Sequence, residues 1–284
     1  MSAILEVKDL VKRYPGFTLD HVSFSLEEGK ITGFIGRNGA GKTTTLHSLL
    51  SFLAPDGGQI RFWGQDMRAH EQAIKQRIGF VSAGMNFYNK KKLRRITAVT
   101  RSFYEHWDEA LYRRYLSLFD LDEDKTPEKL SNGMKIKYML ALALSHGAEL
   151  LILDEPTSGL DPVSREELLE IFLNLANEGK TILFSTHITS DLDKVADNIL
   201  YLAGGKLKAD CSLKEFTSSY RLVEYQKESL PAGTESLLIG ERRSREGFTA
   251  LIRTEDAGRF PRPARPCNLE EIMVHMEKEA GACC

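Results

Sequence analysis

Hydrophobic positions along the chain alternate between two spacings, and the changeovers mark its elements. Leu5-Glu6-Val7-Lys8-Asp9-Leu10 mixes apolar and polar positions as a half-buried strand does, and Val22-Ser23-Phe24-Ser25-Leu26 alternates again before a turn at Glu28-Gly29-Lys30. Together they predict an antiparallel opening. Ile31-Thr32-Gly33-Phe34-Ile35 is a short apolar run that feeds a glycine-rich turn, after which Thr44 to Leu53 has helical character and stops at Pro55-Asp56-Gly57-Gly58.

Ile78-Gly79-Phe80-Val81-Ser82 predicts another strand, and the charged, aromatic stretch from about Lys91 to Asp120 reads as an inserted helical lobe. Leu150-Leu151-Ile152-Leu153 and Thr181-Ile182-Leu183-Phe184-Ser185 are continuous apolar runs joined by the amphipathic segment Ser164 to Asn177. Buried parallel strands with a crossover helix have this pattern, so the expected class is α/β with a mostly parallel central sheet.

After Ile199-Leu200-Tyr201-Leu202 and the turn Gly204-Gly205 the periodicity weakens, and a proline- and arginine-rich patch runs from Phe260 to Pro266. A boundary near Ser212 divides the chain into a main unit, 1–211, with its helical lobe at about 85–145, and a small accessory region, 212–284. Near the end, Asn268-Leu269-Glu270-Glu271 resembles a helix start, and Leu269, Ile272, Met273 and Met276 share one helical face. That face is expected to cover the accessory region's own core.

Composition narrows the function classes. At 284 residues the chain accommodates one large α/β domain with an appendage, or two small domains. Lys and Arg total 38 against 40 for Asp and Glu, a net charge of −2, so there is no global excess to attract nucleic acid. Cys211, Cys267, Cys283 and Cys284 show neither C-x-x-C nor metal-ligand spacing, which points to a reducing, cytosolic setting. The ending Gly281-Ala282-Cys283-Cys284 departs from the C-a-a-X lipidation pattern and reads as an exposed tail. No basic-then-apolar leader opens the sequence, and no apolar run approaches the roughly 18 residues of a membrane span. The expectation is a chain that does not cross a bilayer by itself.

Gly36-Arg37-Asn38-Gly39-Ala40-Gly41-Lys42-Thr43 fits G-x-x-x-x-G-K-[ST] and lies between a predicted strand and a predicted helix. Glycines let the backbone curl so that N–H groups face phosphate oxygens, and the helix N-terminus adds a favourable dipole. Lys42 would reach the outer phosphates, and Thr43 would offer its hydroxyl to Mg²⁺. These residues, with the adjoining Thr44, are the candidate nucleotide contacts. Asp154-Glu155 closes an apolar strand at the end where parallel sheets bind ligands. By itself such a pair is more often a solvated strand end. Beside a phosphate loop, Asp154 would hold Mg²⁺ through water, and Glu155 would act on the water attacking the γ-phosphate.

Leu130-Ser131-Asn132-Gly133-Met134 resembles the signature of the ATP-binding cassette (ABC) family, usually Leu-Ser-Gly-Gly-Gln, and the resemblance covers roughly residues 1 to 210. Alone, Ser-Asn-Gly would read as a helix cap or turn. The resemblance implies a P-loop NTPase with a mostly parallel central sheet, an N-terminal antiparallel β subdomain, an inserted helical lobe and a small C-terminal extension. It also implies ATP and Mg²⁺ as cofactors, and Ser131 and Gly133 binding the γ-phosphate held by a second cassette, identical or paralogous. Ser158-Gly159-Leu160-Asp161 resembles the loop that crosses the dimer interface. His187 resembles the switch histidine that orients Glu155, and Tyr14 the aromatic that stacks on adenine; the remaining histidines read as structural or exposed. The catalytic set is therefore Glu155, His187 and Lys42.

The function implied is that of a single-cassette ATPase similar to the subunits of bacterial drug, antibiotic or peptide exporters. Such a subunit sits on the cytoplasmic face of the membrane and is held there by an integral-membrane permease. Two departures bear on it. Ala83 stands where the family usually carries Gln, and Asn132 replaces a signature glycine. They keep a low-turnover regulatory module open as an alternative. A soluble ABC protein acting on ribosomes or nucleic acid is the other, although the chain has neither a second cassette nor a long coiled-coil insertion. The basic run Lys90-Lys91-Lys92-Leu93-Arg94-Arg95 reads equally as a solvated face or as a contact with permease or lipid headgroups. Phe87, Tyr88, Phe103, Tyr104 and Trp107 would line a permease groove or pack into the lobe.

Overall fold

In the computed structural model, which describes residues 3–82, 88–261 and 263–282, the chain opens with the expected antiparallel hairpin. Strands β1 (Ala3–Tyr14) and β2 (Phe17–Glu27) turn at Pro15-Gly16, which sets Tyr14 opposite Phe17. β3 (Ile31–Ile35) leads into α1 (Lys42–Leu49), followed by β4 (Gly57–Phe62), β5 (Gln65–Asp66), α2 (Glu71–Lys75) and β6 (Ile78–Ser82). The lobe contains α3 (Leu93–Arg101), α4 (Glu109–Leu118) and α5 (Asn132–Ser145). Then come β7 (Leu150–Asp154), α6 (Pro162–Asn177), β8 (Thr181–Thr186), α7 (Thr189–Val195), β9 (Asn198–Ala203) and β10 (Lys206–Ser212). The remainder is α8 (Leu213–Ser218), β11 (Tyr220–Tyr225), β12 (Ile239–Ser244), β13 (Gly247–Arg253), β14 (Arg265–Pro266) and α9 (Leu269–Ala282).

The central sheet has six strands in the order β10-β9-β3-β8-β7-β6, parallel throughout except for β10. Every residue of β3, β7 and β8 is buried, which is why these strands read as unbroken apolar runs. Alternate residues feed cores on opposite faces: Leu151 and Leu153 pack with the α5–α7 side, Leu150 and Ile152 with the antiparallel sheet β2-β1-β4-β5 and α1.

Two local readings need correction. The helix after the phosphate loop runs from Lys42 to Leu49, not from Thr44 to Leu53. Ser51 enters the left-handed region at φ 57, and the amides of Phe52 and Leu53 turn back onto the His47 carbonyl. The two apolar residues continued the helical pattern but lie past its C-terminal turn. Gly57-Gly58, read as part of a turn, opens β4 instead. At Gly58, φ is 90 and a Cβ would lie 2.4 Å from the Asp9 carbonyl oxygen, so glycine there allows β4 to close on β1.

The lobe packs largely through its own aromatics. The hydroxyls of Tyr112 and Tyr138 lie 2.7 and 2.8 Å from Thr97 Oγ1, all three residues being buried. Tyr104 stacks on His146 and Trp107 donates to Glu109, while Tyr88 and Phe103 are each 73% exposed. Lys92 and Arg94 of the basic run both pair with Asp124. Phe87 and Ala83 lie outside the described residues.

Beyond β10, an antiparallel sheet β12-β13-β11-β14 forms the extension. Its pleat divides the side chains. Leu222 and Leu251 join the large core of the main unit, whereas Val223, Tyr225, Ala250 and Ile252 form a small core with Phe260 on the other face. As expected, α9 buries Leu269, Ile272 and Met273, with Met276 packed beside them. It does more than cover the extension, because the same core contains Leu192 and Val195 of α7. Gly240 of β12, at φ 62, lies so close to α9 that a Cβ would fall 1.8 Å from the His275 carbonyl oxygen. Cys211 is half-buried and Cys267 buried, both as free thiols; Cys283 and Cys284 lie outside the described residues. Among the described residues no helix is long and apolar enough to cross a membrane.

His146 ties the lobe to the end of α2. Its Nδ1 donates to the Gln76 carbonyl at 3.1 Å, and burial pushes its pKa down to about 4 from 6.5. Above about pH 6.5 the imidazole is neutral folded or unfolded; below it only the unfolded chain gains the proton. Stability should therefore fall as pH drops from 6.5 toward 4, by up to ~3 kcal/mol from this group. Denaturant melts across that range should show a shallower slope for His146→Gln than for the parent; equal slopes would exclude the effect.

Candidate nucleotide site

β3 lies in the middle of the sheet between β8 and β9 and releases the chain at Gly36, where the backbone passes too close to β9 for any side chain. A Cβ on Gly36 would sit 2.2 Å from the Leu202 carbonyl oxygen. The Ala40 amide donates to the Arg37 carbonyl at 3.1 Å, and the Ala40 carbonyl accepts from Gly205 at 3.2 Å, which fixes the loop on the β9–β10 turn. Gly41 caps α1 at φ 110 without a side-chain hydrogen bond, and a Cβ there would lie 2.9 Å from Phe17 Cζ. The first amides of α1 therefore remain available at a positive helix end.

They border an open pocket of about 670 Å³. Tyr14, Gly16 and Phe17 form one wall, Arg37, Asn38 and Gly39 the rim, and Gly41, Lys42, Thr43 and Thr44 the base, with Glu155 and His187 opposite. Gly36 and Ala40 shape the loop without lining the pocket. Tyr14 is 41% exposed, with its ring 6.5 Å from that of Phe17 and Lys12 Nζ 5.9 Å above it. Phe17 was missed in the sequence, although the Pro15-Gly16 turn between two strand patterns sets residues 14 and 17 across from each other.

Lys42 is 6% exposed; its Nζ donates to the Gly36 carbonyl at 2.7 Å and lies 3.8 Å from Glu155 Oε1. Burial pushes its pKa down, against the opposing pull of Glu155, Asp154 and Glu277. Asp154, at the end of β7, is also buried. Loss of solvent raises its carboxyl, the nearby Ser185 hydroxyl opposing, yet Asp154 Oδ1 and Ser185 Oγ both lack a well-formed hydrogen bond. An orphaned buried carboxylate oxygen suits a hard cation that takes its remaining ligands from phosphate and water. Among the described residues no cluster of His, Cys, Asp and Glu forms a self-sufficient metal cage.

Glu155 adopts φ 52, a conformation costing roughly 1–2 kcal/mol for a non-glycine residue. It is held there because its amide donates to Ser185 at 2.9 Å and its carbonyl accepts from Ser158 at 3.1 Å. The turn brings its carboxylate to His187, whose Nδ1 lies 2.7 Å from Oε2. A carboxylate only accepts, so His187 donates through a protonated Nδ1.

Ser131, Gly133 and Asp161 do not line this pocket. Ser131 Oγ caps α5 by accepting from Met134 at 3.2 Å, and the exposed Asn132 amide faces Gly159. Asp161 caps α6, accepting from Val163 and Ser164 at 3.1 and 3.0 Å, and the Ser164 contact holds its carboxyl low. One chain therefore assembles one half of the predicted constellation around the phosphate loop and leaves the other half on separate helix ends.

Comparison with known proteins places the chain in a family. Residues 19–158 match the family model described as ABC transporter. Over 211 residues the chain is 36% identical to a bacitracin transport ATP-binding protein of Bacillus licheniformis, covering 73% of this chain and 69% of that one. It is 28% identical over 305 residues to the Nod factor export ATP-binding protein I of Ralstonia nicotianae, covering 97% of this chain and 94% of that protein. A solved structure described as the ATP binding subunit of an ABC transporter superposes with a TM-score of 0.68 at 30% identity, over 75% of this chain and 91% of that one. The chain belongs to the ABC transporter family as an ATP-binding subunit, and it is an ATPase with the P-loop cassette fold.

At Gly133 the nearest atom to an added Cβ is 3.6 Å away, an ordinary contact, so nothing among the described residues requires glycine there. Gly133→Ala should leave thermal stability unchanged or raise it by up to about 1 kcal/mol, since alanine is the better helix residue. ATP turnover should nonetheless fall, through loss of close backbone approach. Parent-level turnover in the variant would remove Gly133 from the site.

Proposed function

We propose that this subunit binds Mg²⁺ and ATP in the pocket around residues 36–44 and hydrolyses ATP in a two-cassette sandwich that drives export through a separate membrane permease. The observation that carries the reading is the meeting of Lys42, at the start of α1, with the Glu155–His187 pair that follows β7 and β8, in one pocket. Tyr14, with Phe17, stacks on adenine. The amides from Arg37 to Thr44 and the Lys42 ammonium receive the phosphates, and Thr43 and Asp154 hold the Mg²⁺. That ion supplies charge neutralisation when bound.

Glu155 takes the proton of the attacking water as its oxygen bonds the γ-phosphorus and the bond to the bridging oxygen breaks. His187, donating through Nδ1 to Glu155, fixes the carboxylate and leaves Nε2 toward the phosphate side. Ser131, Gly133 and the Asp161 loop, which do not line the pocket in their own chain, complete the pocket of a second cassette. Export is supported by relatives named for bacitracin transport and Nod factor export. Residues 1–211 then form the cassette, 212–284 the accessory region, and the permease holds the subunit at the cytoplasmic face.

Phosphate release measured with Mg²⁺, with molecular mass followed in ATP, tests the reading. Glu155→Gln is expected to lose roughly a hundredfold or more in rate and to accumulate as an ATP-bound dimer. A variant that releases phosphate like its parent would exclude Glu155 as the base. Tight ATP binding with no turnover in the parent would instead favour a regulatory module.

A further inference from the structure

The C-terminal helix reaches the rim of the nucleotide pocket. The Asp193 carboxylate of α7 lies near the Leu269 amide at the start of α9, and Leu269 and Ile272 are fully buried in the core that also holds Leu192 and Val195 of α7. Two turns further on, Glu277 points into the cassette. Its Oε1 accepts from the Tyr201 hydroxyl at 3.0 Å, and its Oε2 lies 3.9 Å from Arg37 Nε of the phosphate loop. The Glu277 side chain is 16% exposed, that of Arg37 69%. Arg37 borders both the nucleotide pocket and a second cleft of about 430 Å³ between the loop and α9, to which His187, Arg242 and Lys278 also contribute.

We propose that Glu277 is a positioning residue of the nucleotide site: it draws Arg37 toward α9 and lowers the affinity for nucleotide from within the C-terminal extension. The inference rests on reading the pocket as the ATP site. Tyr201 is 3% exposed and sits on a central strand, so its hydroxyl fixes the carboxylate, and Arg37 is the mobile partner. An ion pair at 3.9 Å with a largely exposed guanidinium is weak, whereas a polyphosphate presents several charged oxygens in a geometry that suits the arginine fork. Phosphate therefore draws Arg37 away, leaving Glu277 to face a like charge; its field already reaches Lys42. Both consequences oppose binding. By reciprocity, nucleotide binding weakens one of the contacts that hold α9.

Calorimetric titration with ADP, which avoids turnover, tests this in the full chain. Glu277→Gln keeps an oxygen for Tyr201 and removes the charge. It should lower the ADP Kd roughly two- to fivefold at low salt, with the gain shrinking at high salt and the KM for ATP falling at unchanged kcat. In an Arg37→Gln background the same change should have a smaller effect. The charge-retaining but shorter Glu277→Asp should tighten ADP binding less than Glu277→Gln does. Equal affinities for the parent and Glu277→Gln at low salt, or equal tightening by Glu277→Asp, would overturn the proposal; a parent that binds no ADP would instead overturn the nucleotide reading.

Discussion

Contact between backbone and backbone where β3 meets the phosphate loop is the constraint on which the site depends. Gly36 lies against the Leu202 carbonyl and Gly41 against Phe17 and Leu19, so the loop is seated on β9 and β2 at once. A side chain would strike the Leu202 carbonyl at Gly36 and the Phe17 ring at Gly41. Because β3 is flanked by β8 and β9, the same seating places the start of α1 next to the ends of the strands that bear Glu155 and His187. The meeting of Lys42, Glu155 and His187 thus depends on the sheet order together with one close approach.

The carboxylates at the end of β7 divide by environment. Asp154 is buried with an unpaired oxygen, a state that favours a cation nearby. Glu155, one residue later, is turned out by a left-handed backbone to meet His187. Adjacent residues on a strand point to opposite faces, so a regular β conformation would turn the Glu155 carboxylate to the side opposite Asp154. The strain at Glu155 overcomes that alternation, and the amide and carbonyl bonds to Ser185 and Ser158 offset it.

The extension is not an independent appendage in its packing. Its sheet presents Leu222 and Leu251 to the core that holds α7, and α9 lies between the sheet and the cassette. An element docked through a shared apolar core shifts as a body, so Glu277 at its inner end is firmly placed relative to Arg37. A link between the accessory region and the phosphate loop therefore needs no moving parts beyond one exposed arginine.

The parallel sheet, the antiparallel opening, the phosphate loop and the Asp154-Glu155 strand end were legible in the sequence because each is a local matter: run length, alternation, or a glycine spacing that only one loop geometry satisfies. The end of α1 was not. Phe52 and Leu53 extend an apolar pattern past a turn at Ser51 that depends on capping bonds to His47. β4 was hidden by Gly57-Gly58, whose purpose appears only when β1 is seen beside it. Phe17 needed the hairpin register, and the ion pair of Glu277 with Arg37 spans 240 residues of sequence, beyond any periodicity. Residue types and their local spacing determined what chemistry the chain carries. Which groups meet, and which helix end stays apart from the pocket, was decided by tertiary packing, because contacts between distant segments depend on how strands are ordered in space.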